Sequence, residues 1–189
     1  RHVYTHSNVL PASAVDEVQQ EESVTTVQIV SVSSPGQQRP TDKAALKQLD
    51  EAVAYWSKWK TIEQVGEIEY ATSPTKDEFS NTFFDSLPDR GDADVQLVVT
   101  NMRTPGCYAG NHRIFINWFG DCSAHEFGHI FGLGHSSGLL QGIGRQEYGD
   151  LHSVMGSGNE APTMSQLIFL GEEYSDRLLS PTEGGTEIR

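Results

Sequence analysis

The run His125-Glu126-Phe127-Gly128-His129-Ile130-Phe131-Gly132-Leu133-Gly134-His135 constrains this chain more than any other stretch. Residues four apart on a helix share one face, so His125 and His129 aim their rings at one point. Phe127, Ile130, Phe131 and Leu133 are apolar at helical spacing, so the same segment also reads as a core helix. Gly132 can adopt positive φ, which ends the helix and turns the chain. His135 then approaches the same point from outside the helix.

Three neutral imidazoles fill three positions of a tetrahedral zinc ion and leave the fourth for water or substrate. That is the catalytic arrangement rather than the closed structural one. Glu126 neighbours the first ligand and lies one turn from His129, where its carboxylate reaches a water on the metal without being a ligand. Ser123-Ala124-His125-Glu126 also matches a capping box. We give that role less weight, because other residues, Asp121 among them, can cap the helix. A bare His-Glu-x-x-His occurs by chance; Gly132 and His135 make the pattern specific. The competing readings are an inactive peptidase-like binding module, against which the intact Glu126 argues, and a structural zinc domain, which needs a fourth protein ligand. An aminopeptidase would need a charged anchor for a free amine, and none can be named.

The stretch His125 to His135 resembles the metzincin signature H-E-x-x-H-x-x-G-x-x-H. Ser153-Val154-Met155-Gly156, with its methionine twenty residues after His135, resembles the methionine turn of that family. The longer string from Tyr148 to Gly156, with the run from Asn159 to Gly171, is similar to the gametolysin-like branch. The resemblance covers residues 95 to 172. It implies His125, His129 and His135 as zinc ligands, Glu126 as general base and Met155 as a support beneath the ligands. It implies a metzincin-like α+β fold: a mixed twisted sheet with an edge strand over the cleft, an active-site helix, a methionine turn and a C-terminal helix. Cys107, Tyr108 and Ala109 would lie on that edge strand, whose free backbone groups can bind an extended peptide by strand addition. The implied activity is that of a secreted zinc endopeptidase, made as a zymogen, acting on extracellular or cell-wall proteins. Astacin-type and serralysin-type metzincins carry a tyrosine two residues after the turn methionine; here that position is Ser157, so the resemblance implies no tyrosine ligand there.

Composition fits this reading. The 189 residues suit one domain, 1–189, and carry 26 acidic against 13 basic side chains, a net charge of −13. That balance argues against nucleic acid or an anionic membrane as partner and suits a secreted monomer acting on peptide or protein substrates. Calcium on the acidic surface is compatible with it, but no calcium loop motif can be named. The chain begins at Arg1, which reads as a processed or trimmed product. Cys107 and Cys122 can pair in an oxidising compartment, closing a loop of about fifteen residues for ~3 kcal/mol; two free thiols are the alternative.

Along the chain, residues 1–22 read as an extended N-terminal segment and 180–189 as a loose tail. Thr25 to Val32 alternates as a strand, and Thr41 or Asp42 caps a helix running to about Lys60, with Ala45, Leu46, Leu49, Val53, Trp56 and Trp59 at helical spacing. Val65 to Ala71, Val95 to Val99 and Arg113 to Trp118 read as strands, and Asp77 to Leu87 as a short helix. Ser136 to Gly158 reads as irregular, and Pro162 to Leu170 as a final helix capped by Thr163. Tyr148 reads as an aromatic packing residue able to donate a hydrogen bond at the site, and Asp150 as a carboxylate that orients the turn. His112 and His152 read as flanking residues, and His2 and His6 as exposed.

Overall fold

The computed structural model describes residues 23–75, 81–102, 106–117, 120–140, 144–158 and 160–171. The expected N-terminal segment 1–22, the tail 180–189, residues 77–80 of the expected second helix, Trp118, Asn159, His2 and His6 lie outside the described residues.

The fold is organised by one long strand, β1 (Val24–Ser33). Its odd and even positions face opposite sides of the sheet, and both sides are covered. Val27 and Ile29 join Val95, Leu97 and Val99 of β4 (Val95–Thr100) and Ile114 and Ile116 of β6 (Arg113–Asn117) in one core. Val30 and Val32 join Val98, Met102 and Phe115 in the other. Strands buried on both faces are typical of parallel pairing, and β1, β4 and β6 pair in parallel.

On the first face lies α1 (Asp42–Trp56), capped by the Thr41 hydroxyl, which accepts from the Ala44 amide at 3.2 Å. It buries Ala45, Gln48, Leu49, Ala52 and Trp56. Leu46, expected on that face, is instead partly solvent-facing. The fully buried Trp56 donates its indole N–H to the Ala124 carbonyl at 2.9 Å, which docks α1 against α3 (Ser123–Ile130). On the second face the core is closed by Phe83 of α2 (Asn81–Asp85), with Phe84 and Leu87 beside it. Two glutamines are also buried on that face. Their polar groups are satisfied by a relay in which Arg113 Nε donates to Gln96 Oε1 at 2.9 Å and Gln96 Nε2 donates to Gln28 Oε1 at 2.7 Å.

The single expected strand Val65 to Ala71 is replaced by two. β2 (Thr61–Gln64) pairs with the first part of β1, and β3 (Glu69–Thr72) with its last part, both in parallel. Gly66, at φ 71°, turns the chain between them. The sheet is therefore mixed but mostly parallel, with α1 as a β1-α1-β2 crossover, and so more α/β in character than the expected α+β label.

The antiparallel member is β5 (Cys107–Gly110), which pairs with β6 and ends the sheet in the order β2-β1-β4-β6-β5. Its hairpin turns through Asn111 and His112, at φ 51° and 60°. Two successive left-handed residues give the primed turn that matches strand twist. A Cys107–Cys122 disulfide ties this edge strand to the start of α3. The region expected to be irregular contains a small hairpin, β7 (Gly138–Leu140) with β8 (Gly144–Gln146). The final helix, α4 (Met164–Phe169), starts with a full capping box formed by Thr163 and Gln166.

Candidate metal centre

The helix α3 is short because of how it begins and ends. Ser123 is its first helical residue, not its cap: the cap position is Cys122, with no side-chain hydrogen bond. The capping-box reading of Glu126 therefore does not hold, and Asp121 forms no cap either. At the other end, Gly132 takes φ 86°. Its amide donates to the His129 carbonyl at 2.9 Å, and the Leu133 amide to the Gly128 carbonyl, also at 2.9 Å. That pair of bonds is a Schellman closure, which requires a left-handed residue. It reverses the chain and returns His135 to the helix.

The three imidazoles meet. His129 Nε2 lies 3.2 Å from His125 Nε2 and 3.0 Å from His135 Nε2. Ligand atoms about 2.0–2.1 Å from a tetrahedral zinc stand ~3.3 Å apart, so the spacing fits one such ion. Among the described residues, these histidines are the group of three metal-capable side chains that converge.

The opposite ring nitrogens explain why the Nε2 atoms can act as donors to a metal. His125 Nδ1 faces the Val154 carbonyl at 2.7 Å, His129 Nδ1 the Leu133 carbonyl at 2.8 Å, and His135 Nδ1 a Glu147 carboxylate oxygen at 2.7 Å. These oxygens can only accept, so each Nδ1 carries the proton and each Nε2 presents a lone pair. Burial also holds His125 and His129 below the ordinary imidazole pKa, and the neighbouring imidazoles push in the same direction. Both effects favour the neutral ligand form.

Glu126 lies on the same helix and is 6% exposed. Burial pushes its carboxyl up to about 7. Burial holds the hydroxyl of Tyr148, which contacts His135, above its ordinary pKa, and the carboxylates of Glu147 and Glu126 push in the same direction. A group titrating near neutrality is suited to both taking and returning a proton.

Beneath the histidines, Met155 is fully buried. A Cβ added at Gly128 would lie 2.2 Å from the Met155 sulfur and 3.3 Å from Trp56. Only glycine allows this approach, and it brings the turn directly under α3. The turn is pinned by six hydrogen bonds. Ser153 Oγ accepts from the Met155 amide at 3.1 Å and donates to Gln166 Oε1 at 3.0 Å. The Ser136 amide donates to the Met155 carbonyl at 2.7 Å. Asp150 accepts from the Ser136 hydroxyl at 2.6 Å and from the amides of His152 and Ser153 at 2.9 and 3.2 Å. These bonds hold the Asp150 carboxyl below its usual range.

Of the remaining residues, Cys107, Tyr108 and Ala109 form the edge strand, which packs beside α3; Tyr108 stacks on Phe115 with ring centroids 6.1 Å apart. Cys107 is tied up in the disulfide. His112 belongs to the hairpin turn, and His152 pairs at the surface with Glu160 at 3.2 Å. Sequence reasoning missed Glu147 and Gly128. Glu147 carries no motif signal, because its role depends on where the β7–β8 hairpin returns the chain. Tyr148 does more than pack: its hydroxyl lies 2.8 Å from His135 Nε2. Beside His135 a cleft of about 540 Å³ is lined by Ser136, Ser137, Gly138, Arg145, Thr163 and Gln166, among others.

Among solved structures, the fold is similar to that of archaemetzincin from Methanopyrus kandleri. The two share a TM-score of 0.51 and 16% sequence identity, over 82% of this chain and 97% of that one. No protein-family model and no curated protein matches the sequence.

Proposed function

We propose that the protein is a zinc-dependent endopeptidase. The observation that carries this reading is the convergence of three imidazole Nε2 atoms, each with its Nδ1 committed to an acceptor, beside a buried carboxyl of raised pKa. The metzincin-like fold and the signature from His125 to His135 support it.

His125, His129 and His135 would hold the ion. Zinc, when bound there, supplies a Lewis acid that makes water nucleophilic at neutral pH and polarises a carbonyl. Glu126 accepts the proton of the attacking water and delivers it to the leaving amine. Its buried position keeps the carboxylate poorly solvated, which raises its basicity. Met155 and the Asp150-centred turn fix His125 through Val154. The edge strand β5 supplies free backbone groups to an extended peptide, and Cys107, Tyr108 and Ala109 are the residues along it.

The gametolysin-like string from Tyr148 to Gly156 and the disulfide support a secreted monomer acting on extracellular or cell-wall proteins. The charge of −13 supports protein rather than nucleic acid as the partner.

The test combines metal analysis with cleavage of a proteome-derived peptide library. The wild-type protein should bind one zinc per chain, and cleavage should stop with a chelator and return with zinc. Glu126→Gln should keep the zinc and lose turnover. A fully active Glu126→Gln protein, or a chain that binds no stoichiometric metal, would defeat the proposal.

A further inference from the structure

Tyr148 is placed where a packing residue has no reason to be. Its hydroxyl lies 2.8 Å from His135 Nε2, on the lone-pair side of a ring whose other nitrogen donates to Glu147. The Nε2 atoms of the histidines stand 3.0 and 3.2 Å apart. The hydroxyl thus keeps from His135 nearly the spacing that the imidazoles keep from one another. The ring lies beside two of the three imidazoles, with centroids 4.1 Å from His135 and 6.0 Å from His125.

The loop presents this residue in a particular way. The Tyr148 carbonyl is held by the Ser157 hydroxyl at 2.8 Å, and the Gly149 amide closes a turn onto the Gln146 carbonyl at 3.1 Å. Its main chain is therefore fixed, while the side chain remains 45% exposed. A fixed backbone with a half-exposed ring lets the hydroxyl move without disturbing the turn.

We propose that the Tyr148 hydroxyl is a fourth protein donor to the ion held by His125, His129 and His135, occupying the face they leave open and yielding it to substrate. This rests on the zinc reading above. Zinc accepts oxygen donors alongside imidazole and copper(II) takes mixed nitrogen and oxygen donor sets, and a donor that can swing away keeps the site catalytic rather than structural.

Copper(II) reports such a donor directly, because a coordinated tyrosine gives a visible charge-transfer band that imidazoles alone do not. The protein loaded with one copper per chain should show this band. Tyr148→Phe should bind one copper and lose the band, and Tyr108→Phe, on the edge strand, should keep it. Saturating acetohydroxamate should bleach the wild-type band with the copper retained. A copper-loaded wild type without the band, or a band that survives Tyr148→Phe, would overturn the assignment. A band unchanged by acetohydroxamate would overturn its exchangeability. A protein that binds neither zinc nor copper would fail the zinc reading itself, so the two failures are distinguishable.

Discussion

Glu147 Oε1 lies 2.7 Å from His135 Nδ1, and this side chain does for His135 what backbone carbonyls do for the other two histidines. The difference matters. Val154 and Leu133 offer main-chain oxygens that no substitution removes. Glu147 is 71% exposed on its loop, and without it the His135 ring is free to turn. Partners of metal ligands commonly contribute 10- to 100-fold in affinity. Glu147→Ala should weaken zinc binding about tenfold, the lower end, because water can replace an exposed acceptor. Glu147→Gln, which keeps an acceptor, should lose less. Competition with a chromogenic chelator measures both, and equal affinity of Glu147→Ala and wild type would remove this role.

Gly128 and Met155 are predicted to be coupled. A methyl group at Gly128 would collide with the Met155 sulfur, and the turn beneath α3 would have to shift. Forced overpacking of this kind costs about 1–3 kcal/mol. Gly128→Ala should therefore lower the urea midpoint, although alanine is the better helix former. In a Met155→Ala background the same substitution should cost far less, because the sulfur is gone. A double-mutant cycle reads the coupling; additive effects would show that the close approach is not what selects glycine.

The Cys107–Cys122 bridge joins the edge strand to the start of α3 across fifteen residues. Restricting the unfolded chain over such a loop is worth ~3 kcal/mol in the loop-entropy account. Replacing both cysteines by serine should lower stability by about that amount. Because the three histidines are oriented by Val154, Leu133 and Glu147 and not by the bridge, zinc stoichiometry should be retained. Equilibrium unfolding and metal analysis on the same samples separate the two effects; loss of zinc from a folded double mutant would show that the bridge positions the ligands.

Local chemistry made part of this architecture legible in the sequence. The three histidines and Gly132 could be placed together because helical periodicity and the left-handed freedom of glycine act within eleven residues. The alternating β-branched run of β1 and the Thr41 and Thr163 caps were legible for the same reason. What could not be read depends on contacts between distant segments. Val65 to Ala71 looks like one strand, but β1 is long enough to take two short partners, and Gly66 divides them. Ser123 to Glu126 looks like a capping box, but docking of Trp56 on Ala124 accompanies a helix that starts one residue earlier than a Ser123 cap requires. Glu147 and Tyr148 reach His135 only because the β7–β8 hairpin and the Asp150-centred turn return the chain to it. Gly128 is an ordinary variable position in the signature until Met155 is placed against it.

Asp94 provides a test of the sheet that is independent of the metal. Its carboxylate accepts from the Thr26 amide at 2.8 Å and the Thr26 hydroxyl at 2.7 Å, bridging β1 to the start of β4 across 68 residues. The backbone bond, then the hydroxyl bond, hold its pKa below the ordinary carboxylate value. A carboxylate whose pKa is lower folded than unfolded stabilises the fold above the unfolded value, near 4, and loses that contribution as pH falls through the lower folded value. Asp94→Asn should therefore be less stable than wild type at pH 7, and the two should converge as the solution is acidified below about pH 4. Urea midpoints across the pH range, taken in the presence of a chelator, exclude any contribution from zinc released by protonated histidines. A gap that stays constant down to the acid limit would mean that the Thr26 contacts do not depend on the charge of Asp94.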